Sequence, residues 1–280
     1  MTTTSRPHFS FPLFKRRQRW PMPEKAAYFD EHGYIIFEQA ISHDLIDAFW
    51  TDVDRQLRDN PALTFSVCDK IFTNAERPNV PEAKGSTVLR IIDIERHSKI
   101  APQLMLHPVC SGFLKEVYGG VPPACLQTLT YEHSSQQAAH SDKFLVSPPT
   151  VGPFYDRETL TASWIACEDA NEENGALIIY PGSHKLPKQR LGEDIPEYGA
   201  YVAHLKDLCA AAGIEPKTFT AKKGDVLFWH GDFVHAGGPI QNRARTRKSL
   251  VSHYARVPAD HAFEGNMRER RYEEGGSYFI

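Results

Sequence analysis

Apolar positions in the first half of the chain recur at helical spacing. From Glu24 the pattern is helical to about His32, Gly33 ends it, and Tyr34-Ile35-Ile36-Phe37 reads as a short buried strand. A longer helix follows, with Ser42 as its cap and Leu45, Ile46, Phe49, Val53 and Leu57 on one face, until Asn60-Pro61 stops it. Residues 87–94 alternate partly as a strand, and a second helical stretch runs from about Pro108 to Tyr118. After Pro122-Pro123 the period changes. Segments 125–131, 161–168, 175–180, 217–220, 225–230 and 248–255 are mostly rich in β-branched and aromatic residues and bounded by Gly, Pro or Asn, which predicts short strands. Without βαβ alternation these strands predict a sandwich or jelly roll rather than a doubly wound sheet. The stretch from His184 to about Ile214 interrupts them. Its part from Tyr201 to Ala212 is helical, and the whole reads as an insertion over one end of the barrel.

Composition narrows the class without naming a function. The 280 residues carry 32 Lys+Arg against 35 Asp+Glu, a net charge of -3, and 41% are hydrophobic, as in an ordinary soluble globular protein. That balance excludes a nucleic-acid-coating surface, and no apolar run is long enough to span a bilayer. The charge is unevenly spread. Residues 1–23 hold Arg6, Lys15, Arg16, Arg17 and Arg19, no acidic side chain, and Phe9, Phe11, Phe14 and Trp20. This basic aromatic arm is set apart from a single domain over 24–280; it reads as a surface segment or as a peripheral contact with an anionic membrane. Cys68, Cys110, Cys125, Cys167 and Cys209 are scattered and odd in number, with no CxxC pair, which fits reduced thiols and a cytoplasmic protein. The N-terminus lacks the apolar stretch of a secretory signal.

Chemistry concentrates in the strand-rich half. His140-Ser141-Asp142 places two metal-ligand side chains two residues apart, on one face if the segment is extended. A histidine from another strand would complete a two-histidine, one-carboxylate face, the ligand set of non-haem Fe(II) oxygenases. Arg247 opens the last strand of this half and offers a planar fork of donors suited to a carboxylate.

These residues sit in ordered motifs. After His140-Ser141-Asp142 come Trp164-Ile165-Ala166-Cys167-Glu168-Asp169-Ala170, then Glu173-Asn174-Gly175-Ala176-Leu177 running into Pro181-Gly182-Ser183-His184. Gly224-Asp225-Val226-Leu227-Phe228-Trp229-His230-Gly231 leads to His235 and on to Arg247-Lys248-Ser249. In these motifs, over about 125–256, the chain resembles the phytanoyl-CoA dioxygenase family of Fe(II)/2-oxoglutarate-dependent oxygenases.

The resemblance implies a mainly β fold with α flanks, a double-stranded β-helix of the jelly-roll, cupin-like kind with N-terminal helices. It implies that His140, Asp142 and His235 hold Fe(II) and that Arg247 pairs with the distal carboxylate of 2-oxoglutarate. Of the two histidines in Trp229–His235, the family match selects His235. Ser249 lies two residues beyond Arg247 and is expected to donate to the same carboxylate. Trp164, His184 and Gln127 are expected around the cosubstrate, and Tyr131, Lys143, Trp229 and His230 around the substrate, with Asp232 beside them. The implied reaction consumes O2 and 2-oxoglutarate, hydroxylates an unactivated C–H, and releases succinate and CO2. Halogenating relatives replace the carboxylate ligand with a small residue, so Asp142 favours hydroxylation. The substrate expected is a small polar metabolite or a lipid- or glycan-linked molecule, with no nucleic-acid partner, and the oligomeric state stays open. Two other readings of the same ligand set are a cupin-like zinc hydrolase, which has no need of Arg247-Lys248-Ser249, and a non-catalytic ligand-binding barrel.

Overall fold

The helical flank forms where the apolar spacing puts it. The computed structural model describes residues 21–67, 70–77, 90–145, 157–257 and 269–279; the arm's residues 1–20 and Cys68 lie outside them. Helix α1 (Met22–His32) carries Pro23 in its first turn and ends on Gly33, whose φ of 77° lets its N–H close on the Phe29 carbonyl. Strand β1 (Tyr34–Phe37) follows at once. Helix α2 (His43–Asp59) is capped by Ser42, whose Oγ accepts from the Leu45 N–H, and it buries Ile46, Phe49, Trp50 and Val53. Helices α3 (Ala101–Met105) and α4 (Pro108–Val117) complete the flank.

The remaining strands are β2 (Thr64–Val67), β3 (Lys70–Thr73), β4 (Arg90–Ile92), β5 (Ala124–Tyr131), β6 (Thr161–Ala166), β7 (Leu177–Ile179), β8 (Lys217–Phe219), β9 (Val226–His230), β10 (His235–Gly237), β11 (Ser249–Ala255), β12 (Arg270–Glu273) and β13 (Gly276–Phe279). They build two sheets. The larger runs β1-β9-β6-β11-β5-β4-β2-β3, with the β12–β13 hairpin joined to β5, and the smaller runs β10-β7-β8. Two facing sheets with helices on the outer face of the larger one match the jelly-roll expectation.

Strand alternation assigns each side chain to a layer. Trp164, Leu227, Trp229 and Val251 of the larger sheet pack inward against Leu177, Ile179 and Phe219 of the smaller. Their neighbours Ile165, Val226, Phe228 and Leu250 point outward onto Phe49, Val53, Phe113 and Leu114 of the helices. Each such side chain contributes about 1.5–3 kcal/mol on burial, so the helical flank is part of the core.

The structure departs from the sequence reading in places. Hairpins β2–β3 and β12–β13, strand β10 and helix α3 go beyond the predicted elements. The insertion helix α6 (Tyr198–Ala211) does not cover a barrel end. Its Tyr201, Leu205 and Cys209 pack on Tyr180, Val234 and Ala236, the outer face of the smaller sheet.

Candidate metal centre

His140 and His235 are cross-strand partners, each donating its backbone N–H to the other's carbonyl at 3.0 Å. That pairing puts both rings on one side of the bridge, with centroids 4.3 Å apart. Asp142 does not lie on an extended segment with His140, as period-two spacing suggests; it opens a short helix, α5 (Asp142–Leu145). The turn into α5 brings its Oδ1 to 3.7 Å from the Nε2 of both histidines. The donor atoms of all three residues lie within 4.8 Å of one another, and all three residues are buried.

The tautomers are set by the backbone. His140 Nδ1 donates to the Ala138 carbonyl at 2.8 Å and His235 Nδ1 to the Phe233 carbonyl at 3.1 Å, which leaves both Nε2 lone pairs facing Asp142. Burial, with His235 beside it, pushes His140 down to about 3, so its imidazole is in the neutral, ligating form. Burial alone would raise Asp142, but His235, His253 and His140 around it hold the carboxyl below its ordinary range.

A further layer surrounds the carboxylate. Trp229 Nε1 donates to Asp142 Oδ2 at 2.6 Å, and His253 Nε2 lies 3.2 Å from the same oxygen. Gln127, the register partner of His253 across β5 and β11, meets its Nδ1 at 3.2 Å. His253 is not among the residues that the sequence singles out. The available signal was its place on β11, in phase with Arg247, Ser249 and Val251 on the inward face.

Arg247 lies two residues before β11 and is only 2% exposed. Its backbone N–H bonds to the Glu132 carbonyl at 2.7 Å, extending the ladder with β5. Flanking residues fix it further. Thr246 Oγ1 donates to Glu168, the Asn174 amide donates to the Thr246 carbonyl at 2.8 Å, and the Cys167 N–H donates to the Lys248 carbonyl at 3.0 Å. The guanidinium stacks 5.6 Å from the Trp164 ring and donates through Nη1 to the Gly175 carbonyl at 2.9 Å. Its Nε has no partner, nor have the buried Ser249 Oγ and Trp164 Nε1, and no carboxylate among the described residues reaches it. Burial pulls this arginine down to about 10. An unpaired buried cation costs several kcal/mol, so this arrangement is built to receive an anion.

The other predicted residues fall in three places. Tyr131 is buried in the inner layer, with the Arg90 guanidinium 5.8 Å from its ring. Lys143 bonds to Glu158 at 2.7 Å and Asp232 at 3.0 Å, so its charge and that of Asp232 are already matched. His230 is half-buried, with its ring 6.4 Å from Phe29 and 5.7 Å from His184. His184 is drawn to the α1–β1 turn, its Nε2 bonding the Asp30 carbonyl at 2.9 Å, and none of these contacts involves the metal-ligand triad or Arg247. The polar group of Trp229 is committed to Asp142 and that of Gln127 to His253.

A model of the phytanoyl-CoA dioxygenase family matches residues 29–249. The chain belongs to that family. Membership makes it an iron- and 2-oxoglutarate-dependent dioxygenase. It is 21% identical over 248 residues to the peroxisomal phytanoyl-CoA dioxygenase of Rattus norvegicus, covering 82% of this chain and 67% of that one. Among solved structures, the non-heme alpha ketoglutarate dependent epimerase SnoN from nogalamycin biosynthesis superposes with a TM-score of 0.65 at 18% identity, covering 92% and 97% of the two chains. EctD from S. alaskensis, solved with 2-oxoglutarate and 5-hydroxyectoine, gives 0.60 at 21% identity over 83% and 75%. These likenesses place the family's fold beneath the site.

Proposed function

We propose that this dioxygenase hydroxylates an unactivated C–H of a small molecule, with His140, Asp142 and His235 holding Fe(II) and Arg247 anchoring 2-oxoglutarate. The observation that carries the reading is the pairing of a buried two-imidazole, one-carboxylate donor set with a buried arginine that meets no carboxylate among the described residues. The donor set suits ferrous iron, and three protein ligands leave coordination positions for a bidentate cosubstrate and dioxygen. When bound, iron with 2-oxoglutarate and O2 supplies the oxidising power for attack on the C–H bond.

The chain's own residues supply position and exclusion. His140 and His235 present Nε2 because the Ala138 and Phe233 carbonyls hold their Nδ1 protons. Asp142 presents Oδ1 because Oδ2 is engaged. Arg247 binds the distal carboxylate, with Ser249 Oγ as a second donor and the Trp164 ring as a wall. Trp164, Leu227 and Phe219 keep water from the inner layer. Asp142 fills the position that a halogenating enzyme would leave small, which favours hydroxylation. The same reading puts the enzyme in the cytoplasm, supported by the buried thiols of Cys110, Cys125, Cys167 and Cys209, none of them in a disulfide. A lipid- or glycan-linked substrate stays a subsidiary proposal, since its motivation, the basic arm, falls outside the described residues.

The test is anaerobic loading with Fe(II) and 2-oxoglutarate, exposure to 18O2 with a panel of small molecules, and measurement of succinate and product mass. Succinate with a product gaining one labelled oxygen is expected. No succinate, coupled or uncoupled, overturns the oxygenase reading. Succinate with an epimerised or cyclised product overturns hydroxylation alone, and bound zinc with hydrolysis supports the cupin-like hydrolase instead.

A further inference from the structure

Asp142 could ligate a metal through one oxygen or two, and the difference matters because a second bound oxygen would occupy a position the reaction needs. Its two oxygens have unlike surroundings. Oδ1 faces His140 and His235, at 3.7 Å from each Nε2. Oδ2 faces away, toward Trp229 Nε1 at 2.6 Å and His253 Nε2 at 3.2 Å. We propose that His253, oriented by Gln127, is a positioning residue that with Trp229 confines Asp142 to ligation through Oδ1. This rests on the iron reading above.

The tautomer follows from chemistry. An unprotonated Nε2 would set a lone pair against a carboxylate oxygen 3.2 Å away, so the nitrogen carries the proton, in a charge contact with Oδ2 that falls short of hydrogen-bond alignment. The complementary Nδ1 then accepts, and Gln127 Nε2 stands 3.2 Å from it as the donor. The pairing is set by the sheet, because His253 and Gln127 are direct register partners on β11 and β5. Opposite His253 on the other side stands Ala162, which crowds neither ring. His253 is 3% exposed and lies outside the cluster of mutually close donor atoms formed by His140, Asp142 and His235. It therefore acts through Asp142 rather than as a further ligand. Gln127, expected from the family resemblance beside 2-oxoglutarate, serves in this arrangement one step behind the metal ligand.

Partners that orient a ligating side chain typically change metal affinity 10- to 100-fold when removed. The experiment is an anaerobic Co(II) titration of the full chain, read as affinity and as the visible absorption bands that report the ligand field, for His253→Phe, His253→Gln, Gln127→Leu and Asp142→Ala. His253→Phe is expected to weaken Co(II) binding about 10- to 100-fold and to shift the bands as Asp142 gains freedom to bind through both oxygens. His253→Gln, which keeps a donor, should recover most of both, and Gln127→Leu should fall between wild type and His253→Phe. A folded His253→Phe chain with wild-type affinity and bands overturns the proposal, as does a His253→Gln chain no better than His253→Phe. Should His253→Phe not fold, Gln127→Leu decides: unchanged affinity and bands overturn it, weakened binding sustains it. If the wild-type chain takes up no Co(II), or Asp142→Ala binds it equally well, the metal centre itself is wrong, which is a separate failure.

Discussion

At the scale of single residues, Arg247 is the side chain whose surroundings make sense only with a ligand. It is a buried cation held by one carbonyl and one aromatic face, with its Nε unpaired. Removing one partner of a buried ion pair typically costs about 3–5 kcal/mol. Arg247→Ala should therefore weaken 2-oxoglutarate binding by roughly 150- to 4000-fold, measured by titrating the metal-loaded protein. Arg247→Lys should recover only part, because an ammonium cannot meet a carboxylate bidentately. Unchanged affinity in Arg247→Ala would place the anchor elsewhere. Asp142→Ala should abolish succinate formation, since two imidazoles alone do not make the ligand face. His140, Asp142 and Arg247 were legible in the sequence by type and spacing, whereas the choice of His235 over His230 rested on the family resemblance. His253 was not legible, because a histidine in a wholly buried strand has the same local pattern whether it packs in a core or faces a ligand. Only the fold brings β11 beside α5.

At the scale of elements, the residues around Arg247 explain why the turn between β6 and β7 reads as it does. Asn174 is buried and bridges the Asp169 and Thr246 carbonyls, while the Gly175 carbonyl takes a bond from Arg247. Gly175 has φ of 80°, and a Cβ there would lie 2.6 Å from the Ser134 Cβ and 2.7 Å from the Gly238 oxygen. Gly175→Ala should thus cost about 1–3 kcal/mol of stability, by backbone strain and crowding together. Because the same residue holds the guanidinium, it should also raise the KM for 2-oxoglutarate. Gly192 is the control. Its φ is 84° but nothing lies within 4 Å of a Cβ, so Gly192→Ala should show strain alone, with unchanged KM. Thermal melts and steady-state kinetics of the two variants separate the contributions. The long periodic elements, α2 above all, were readable because an amphipathic stripe and a Ser42 cap are local signals. Strand β10 and helix α5 are too short to carry a period: β10 is held by its pairing with β7, and α5 follows the His140–His235 bridge, contacts between residues far apart in the chain.

At the scale of the molecule, the metal-ligand triad joins three separate pieces: the segment before α5, the start of β10, and through His253 the larger sheet. A ligand that closes these contacts stabilises the whole domain, since it binds the folded chain and not the unfolded one. At a concentration 100 times its dissociation constant such a ligand contributes about 2.7 kcal/mol, which for a domain of this size raises the Tm by roughly 5–10 °C at most and 2–4 °C per kcal/mol. Binding of metal should give one increment and 2-oxoglutarate a second that depends on the first. Calorimetry under anaerobic conditions with Co(II) then sorts the variants by which step they lose. Asp142→Ala should lose both increments, because its metal face is broken, whereas Arg247→Ala should keep the metal increment and lose the one from 2-oxoglutarate. If Arg247→Ala kept both, the cosubstrate would be held without the buried guanidinium, and that unpaired charge would need another partner. The same scans report whether the core stays closed: burial pushes the Cys110 and Cys167 thiols up to about 12, so neither should react with iodoacetamide below the transition. Labelling of either in the native range would mean that the helical flank opens from the larger sheet while the metal centre is still formed, and the two layers would then unfold separately.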